Sequence, residues 1–247
     1  MIDINTMTWS YSRLKSFHTC KYAWYLQYVK KTKQIQNAFA QFGLFGHKLI
    51  DEWARGLLKE NELAREYIQR YDKSVTIRFP RMSKFTNLTT LYYNRGLEYF
   101  ENFHGFGQKE IVSSERTYIF QYEGLKCKAI VDLLVRNDED KLILIDHKSY
   151  GTSKTQVEIR EEAKQLYWYS IPVWQKYKEL PESINFNLYA RGDWYQEPFD
   201  KKRGSNARQW ISKTLDDISK ETEFPPNKDE MFCKNICGYR NICKYCK

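Results

Sequence analysis

Apolar and aromatic positions fall at helical spacing through the first part of the chain. They give way in mid-sequence to short runs rich in Val, Ile and Leu. Ser10 reads as an N-cap for a helix running to about Lys31. Helices follow at Phe39–Leu58, Glu60–Tyr71 and Leu88–Phe103. Strands are expected at Ile111–Phe120, Leu125–Val135 and Leu142–Lys148, then a helix at Glu161–Tyr177 that Pro172 should kink or break. Ile184–Ala190 alternates as a fourth strand, with Gln196–Phe199 a short partner and Gln209–Glu221 a terminal helix. This order predicts a mixed α/β (α+β) fold, a central mixed sheet flanked by helices.

The second and third strands carry acidic residues where a buried strand would not hold them. Between the runs AIVDLLV (Ala129–Val135) and KLILIDHKS (Lys141–Ser149) lies the polar stretch Arg136-Asn137-Asp138-Glu139-Asp140, so the pair reads as a β-hairpin. Asp132 and Asp146 each lie seven residues from Glu139. A hairpin closing symmetrically there sets the two carboxylates opposite each other, with Cβ atoms roughly 5 Å apart. Period-two alternation puts Lys148 on the face of Asp146 and turns His147 to the other. Opposed carboxylates among apolar neighbours repel and are costly to desolvate, a cost that a divalent cation between them would remove. The plainer alternative is an acidic–lysine cluster on a solvated sheet face.

Asp132 followed by Asp146-His147-Lys148 resembles the D…(D/E)-x-K core of the PD-(D/E)XK nuclease superfamily. The surrounding residues sharpen the likeness. Gly43-Leu44-Phe45-Gly46-His47 resembles the G-x-x-x-H element of the RecB-like branch, and Gln165-Leu166-Tyr167-Trp168-Tyr169 its Q-x-x-x-Y motif. Trp9-Ser10-Tyr11-Ser12-Arg13-Leu14, leading to Cys20, and the C-terminal cysteines follow the order of Cas4- and AddB-type iron–sulfur nucleases over nearly the whole chain. Ala129 stands where a Gly is common, and Val131 where a Pro gives the superfamily its name; neither change removes a ligand. The resemblance implies a restriction-endonuclease-like core and a catalytic set of Asp132, Asp146, Lys148, Gln165 and Tyr169. It also implies a Mg2+ or Mn2+ site built from His47, Asp132, Asp146 and the His147 backbone carbonyl. Gln165 and Tyr169, four apart on one helical face, would act together beside the scissile phosphate. Glu115, on the strand entering the hairpin, is a further candidate acid, while the His147 side chain is given no role.

The six cysteines fall at 20, 127, 233, 237, 243 and 246, four of them in the C-terminal tail. In an intracellular chain such clustering favours metal over disulfides, and both zinc and an iron–sulfur cluster use four thiolates. The resemblance favours a [4Fe–4S] cluster held by Cys20, Cys233, Cys237 and Cys243, with Cys246 as the alternative to Cys233. Such a cluster would tie the two ends of the chain together.

Composition changes the picture in two ways. The 40 Lys and Arg against 31 Asp and Glu give a formal charge of +9, which suits a polyanion, and basic stretches interleave with aromatics at Lys21–Lys33 and Lys201–Lys213. No linker, repeat, transmembrane run or signal-peptide pattern is found. The expectation is therefore one nuclease domain over residues 1–247: a helical part (1–110), a catalytic core (111–200) and a helix with the cysteine-rich tail (201–247). A cytoplasmic or virus-encoded protein without a membrane partner fits these features. The expected function is a metal-dependent DNA exonuclease on single-stranded or end-accessible DNA, in repair, phage DNA metabolism or with CRISPR adaptation proteins. The rival is a catalytically idle iron–sulfur DNA-binding subunit of a larger complex.

Overall fold

Helices dominate the first hundred residues, as their periodicity requires. The computed structural model describes residues 2–81, 87–149 and 155–246. Its elements are α1 (Tyr11–Thr19), α2 (Lys21–Tyr28), α3 (Ala38–Ala54), α4 (Glu60–Ser74), α5 (Leu88–Glu101), β1 (Glu110–Tyr122), β2 (Leu125–Arg136) and β3 (Leu142–His147). They continue as α6 (Gln156–Glu162), α7 (Lys164–Tyr177), β4 (Ser183–Leu188), β5 (Asp193–Pro198), α8 (Lys201–Lys220) and α9 (Glu230–Asn235). The strands form one sheet in the order β1-β2-β3-β4-β5, antiparallel except for the parallel pair β3 and β4. A parallel neighbour needs a crossover, which α6 and α7 supply. No described helix is long and apolar enough to cross a membrane.

Each face of the sheet buries its own core. One collects Leu14, Phe17 and Trp24 with Leu134, Leu144, Leu166 and Ile211 from the sheet, α7 and α8. The other packs Phe42, Phe45 and Leu49 of α3, with Tyr67 and Phe100, on Leu133, Val135 and Ile145. The aromatics of the first basic stretch serve the former. Trp24 is fully buried and Tyr25 and Tyr28 pack beside it, so these rings belong to the core.

Four local expectations need correction. The helix expected from Ser10 to Lys31 breaks at Cys20, whose extended backbone (φ −163°) ends α1 and whose thiol caps α2. The helix expected at Glu161–Tyr177 begins earlier, with a Thr155–Glu158 capping box opening α6, and is interrupted at Ala163. Pro172 does not break α7, which runs on to Tyr177. The terminal helix also starts earlier than Gln209, because the Asp200 carboxylate caps the amides of Lys202 and Arg203.

Candidate active site

The hairpin closes where its symmetry demands, with Arg136 opposite Leu142 and Leu133 opposite Ile145. Asp132 and Asp146 come next, but there the backbone ladder ends. In its place the His147 amide donates to Asp132 Oδ2 at 2.8 Å. A second irregularity lies one strand away. On β1, Glu115 has a left-handed backbone (φ +43°), and paired residues resume on either side of it, Ser114 with Leu133 and Arg116 with Val131. Side-chain alternation along β2 slips at the same point. Cys127, Ala129 and Val131 face the first core, whereas Leu133 and Val135 face the second. Strands β2 and β3 therefore fork at Asp132, where side-chain direction along β2 also changes.

Helix α3 delivers a stripe of residues to this fork. Gly43, His47 and Asp51 lie four apart on one face. A Cβ on Gly43 would meet Ser149 Oγ at 3.1 Å, so the glycine makes room for the chain leaving β3. Asp51 accepts a hydrogen bond from Ser114 Oγ at 2.6 Å, which fastens α3 to β1 beside Glu115. Between these anchors, His47 Nδ1 lies 3.2 Å from Glu115 Oε1 and 3.5 Å from Asp132 Oδ2, while Nε2 lies 2.8 Å from the His147 carbonyl. His47, Glu115 and Asp132 offer three ligand atoms within 4.8 Å of one another.

Helix α7 approaches Asp146 from the other core. Gln165 Nε2 donates to Asp146 Oδ1 at 2.8 Å, Gln165 Oε1 accepts from Lys148 Nζ at 2.8 Å, and the Tyr169 hydroxyl accepts from the same Gln165 amide at 2.7 Å. Lys148 Nζ sits 2.6 Å from Asp146 Oδ2, although at an angle that makes no hydrogen bond to that buried atom. Lys148 and Asp146 thus share a face. The His147 ring turns to the other, where Asn187 Nδ2 lies 3.1 Å from its Nδ1.

The electrostatics describe a site short of positive charge. Burial raises both acids, Asp146 to about 6 with Asp132 adding to the effect, against the pull of Lys148. Burial would lower His47, but Asp132 and Glu115 outweigh it and lift the imidazole to about 9. Lys148 is likewise raised despite its burial, chiefly by Asp146, and stays an ammonium. Carboxylates, an imidazole and a backbone carbonyl form a hard, oxygen-rich donor set that fits Mg2+ or Mn2+, and a cation entering it would compete with the proton on His47.

A family profile now matches residues 8–244, described as the PD-(D/E)XK nuclease superfamily. The chain belongs to the PD-(D/E)XK nuclease superfamily. The five-stranded mixed sheet with its flanking helices is the restriction-endonuclease-like core of that superfamily. Among solved structures, a candidate exonuclease from Eubacterium rectale is similar at 13% identity and TM-score 0.52, over 98% of this chain and 88% of that one. The crystal structure of SSO0001 is 23% identical over 53% of this chain and 60% of its own length, at TM-score 0.33. The chain thus spans less than two thirds of that protein, and no curated protein matches.

The cysteines of this superfamily member also converge. Cys20 Sγ accepts from the amides of Ala23 and Asn227, at 3.5 and 3.4 Å, and Cys233 Sγ approaches the Asn227 carbonyl at 3.7 Å. The Cys237 thiol is raised by burial first, and then by Cys20, Cys243 and Cys233 around it. Cys246 lies beside Cys233 and Cys243, so the alternative to Cys233 stays open. Among the described residues no three cysteine sulfurs lie within 4.8 Å of one another. Cys127 is separate, buried on β2 with its thiol on the Leu125 carbonyl.

Sequence reading singled out His47, Asp132, Asp146, Lys148, Gln165 and Tyr169, and the fold brings all six together. It under-weighted Glu115, because a lone acid on an alternating strand carries no local signal of its left-handed backbone. It also left the His147 side chain without a role.

Proposed function

We propose that the chain is a Mg2+- or Mn2+-dependent DNA exonuclease, acting on single-stranded or end-accessible DNA. The observation that carries this reading is the strand fork, where two buried acids, His47 and an ammonium meet. Asp132, Asp146, His47 and the His147 carbonyl would hold the cation, with Glu115 beside them. The bound cation would supply an acidified water and charge neutralisation on the phosphate. Lys148, held charged by Asp146, places its ammonium where negative charge grows on the phosphate, and Gln165 fixes both Lys148 and Asp146 in position. Tyr169 supports Gln165 from below. We read residues 1–247 as a single nuclease domain of the RecB-like, Cas4-like type.

The converging thiols support a [4Fe–4S] cluster on Cys20, Cys237, Cys243 and either Cys233 or Cys246. Zinc on four thiolates is the alternative occupant of the same residues. The second reading, an idle iron–sulfur DNA-binding subunit in a DNA-processing or CRISPR adaptation complex, has less support because Asp132, Asp146 and Lys148 are all present.

The test is digestion of end-labelled single- and double-stranded DNA by purified protein with and without Mn2+. Metal-dependent shortening from an end, abolished in Asp146→Ala, is expected. Undiminished cleavage by that variant would remove the site, and DNA binding without any cleavage by the unmodified protein would favour the idle subunit.

A further inference from the structure

A roomy cleft lies on the other side of His147. It encloses about 710 Å3, and its walls include Arg95, Tyr99, Phe106, Asn187, Arg191 and Trp194. The loop after α5 builds one wall. Gly105 and Gly107, both left-handed (φ +68° and +62°), flank Phe106, and its amide donates to Gln108 Oε1 at 2.7 Å. Thus fixed, the Phe106 ring stacks on His147 (5.5 Å between centroids, 24° between planes) and on Trp194 (5.7 Å, 26°). Asn187 ties the floor together, donating to the Tyr99 hydroxyl at 2.8 Å and facing His147 Nδ1. A file of aromatic planes therefore runs from the residue between Asp146 and Lys148 to Trp194, which is 37% exposed on β5.

From this continuity we infer that the cleft is a base-binding subsite, which receives one unpaired nucleobase of the strand whose phosphate lies at the fork. The inference rests on the nuclease reading and adds to it how the substrate is recognised. Every base has a π-face, so stacking on an exposed indole holds a strand without reading its sequence. The cleft itself is close to charge-balanced, since its lining sets Glu98 and Asp193 against Arg95 and Arg191, with Asp193 3.2 Å from Arg191. Such a lining suits a base rather than a phosphate. A paired base cannot turn into it, so the cleft selects single strands and frayed ends over intact duplex.

The test is anisotropy of a labelled oligothymidylate without added divalent metal, set beside cleavage with Mn2+. Trp194→Ala is expected to weaken binding at least about fivefold, while Trp194→Phe, which keeps a ring, stays near the unmodified protein. One abasic nucleotide near the cleaved end should weaken binding to the unmodified protein by a similar factor and leave Trp194→Ala no weaker still. Unchanged binding by Trp194→Ala, in protein that cleaves and whose Asp146→Ala variant does not, overturns the subsite and spares the nuclease. Unmodified protein that neither binds nor cleaves DNA overturns both.

Discussion

Gln165 makes three hydrogen bonds at the fork and contributes no charge, so its removal isolates what positioning is worth. In Gln165→Ala, Asp146 Oδ1 and Lys148 Nζ each lose a partner at 2.8 Å. The Lys148–Asp146 contact at 2.6 Å remains, and so do His47, Asp132 and Glu115. A hydrogen bond to a charged group is worth about 1.5–3 kcal/mol, and each 1.36 kcal/mol is tenfold in rate. Loss of one such contact in the transition state therefore slows cleavage by about 10- to 150-fold. Both losses together would exceed that only if Lys148 and Asp146 were held independently, which their direct contact argues against. The assay is single-turnover cleavage of an end-labelled oligonucleotide across a Mn2+ titration. The rate at saturating Mn2+ should fall within that range while the half-saturating Mn2+ concentration changes little. A variant within threefold of the unmodified protein at saturation would refute the positioning argument. A large shift in Mn2+ requirement would instead make Gln165 part of the metal site.

Three further outcomes are expected. His47→Ala should raise the half-saturating Mn2+ concentration at least about tenfold, since even loss of a ligand's own supporting partner costs 10–100-fold; an unchanged titration would take His47 out of the metal site. Cys20→Ser should yield colourless protein with a lowered Tm, because the thiol at the α1–α2 break would no longer tie the tail to the N-terminal helices, whereas Cys127→Ser should keep its colour; visible absorbance surviving in Cys20→Ser would exclude that residue as a ligand. Gly46→Ala should destabilise the fold by about 1–3 kcal/mol in urea unfolding, because its Cβ would stand 2.5 Å from the Tyr189 ring. An unchanged midpoint would show that the ring yields freely, although its hydroxyl holds the carbonyls of Phe42 and Gly43.

What could be read from the sequence was whatever has a local period. The hairpin centre follows from two apolar runs and a polar turn, and Arg136 pairs with Leu142 as that symmetry requires. Gln165 and Tyr169 sit one helical turn apart, and the structure joins them through a 2.7 Å bond. What escaped was set by distant chain. The break at Cys20 depends on a thiol that meets the Asn227 amide 207 residues away, which helix spacing in the first thirty residues cannot reveal. Trp24 and Tyr25, read as part of a basic stretch interleaved with aromatics, pack instead against Phe224 from the C-terminal segment.

The fork itself shows why a strand rule both finds and misplaces an active site. Alternation assigns Asp132 and Asp146 to one face, and ideal pairing would then close a ladder rung between them and bury both charges in the core. Instead Glu115 adopts a backbone that costs roughly 1–2 kcal/mol in an L-residue, the rung is lost, and the Asp132 carboxylate takes the His147 amide that the ladder would have used. That exchange turns Asp132 toward His47 on α3 while Asp146 stays with Gln165 and Lys148 on the α7 side. The two acids therefore serve different helices, yet Asp132 still adds to the raised proton affinity of Asp146. A site assembled this way joins the two helical layers, with His47 and Glu115 left partly exposed on the α3 side of the buried acids.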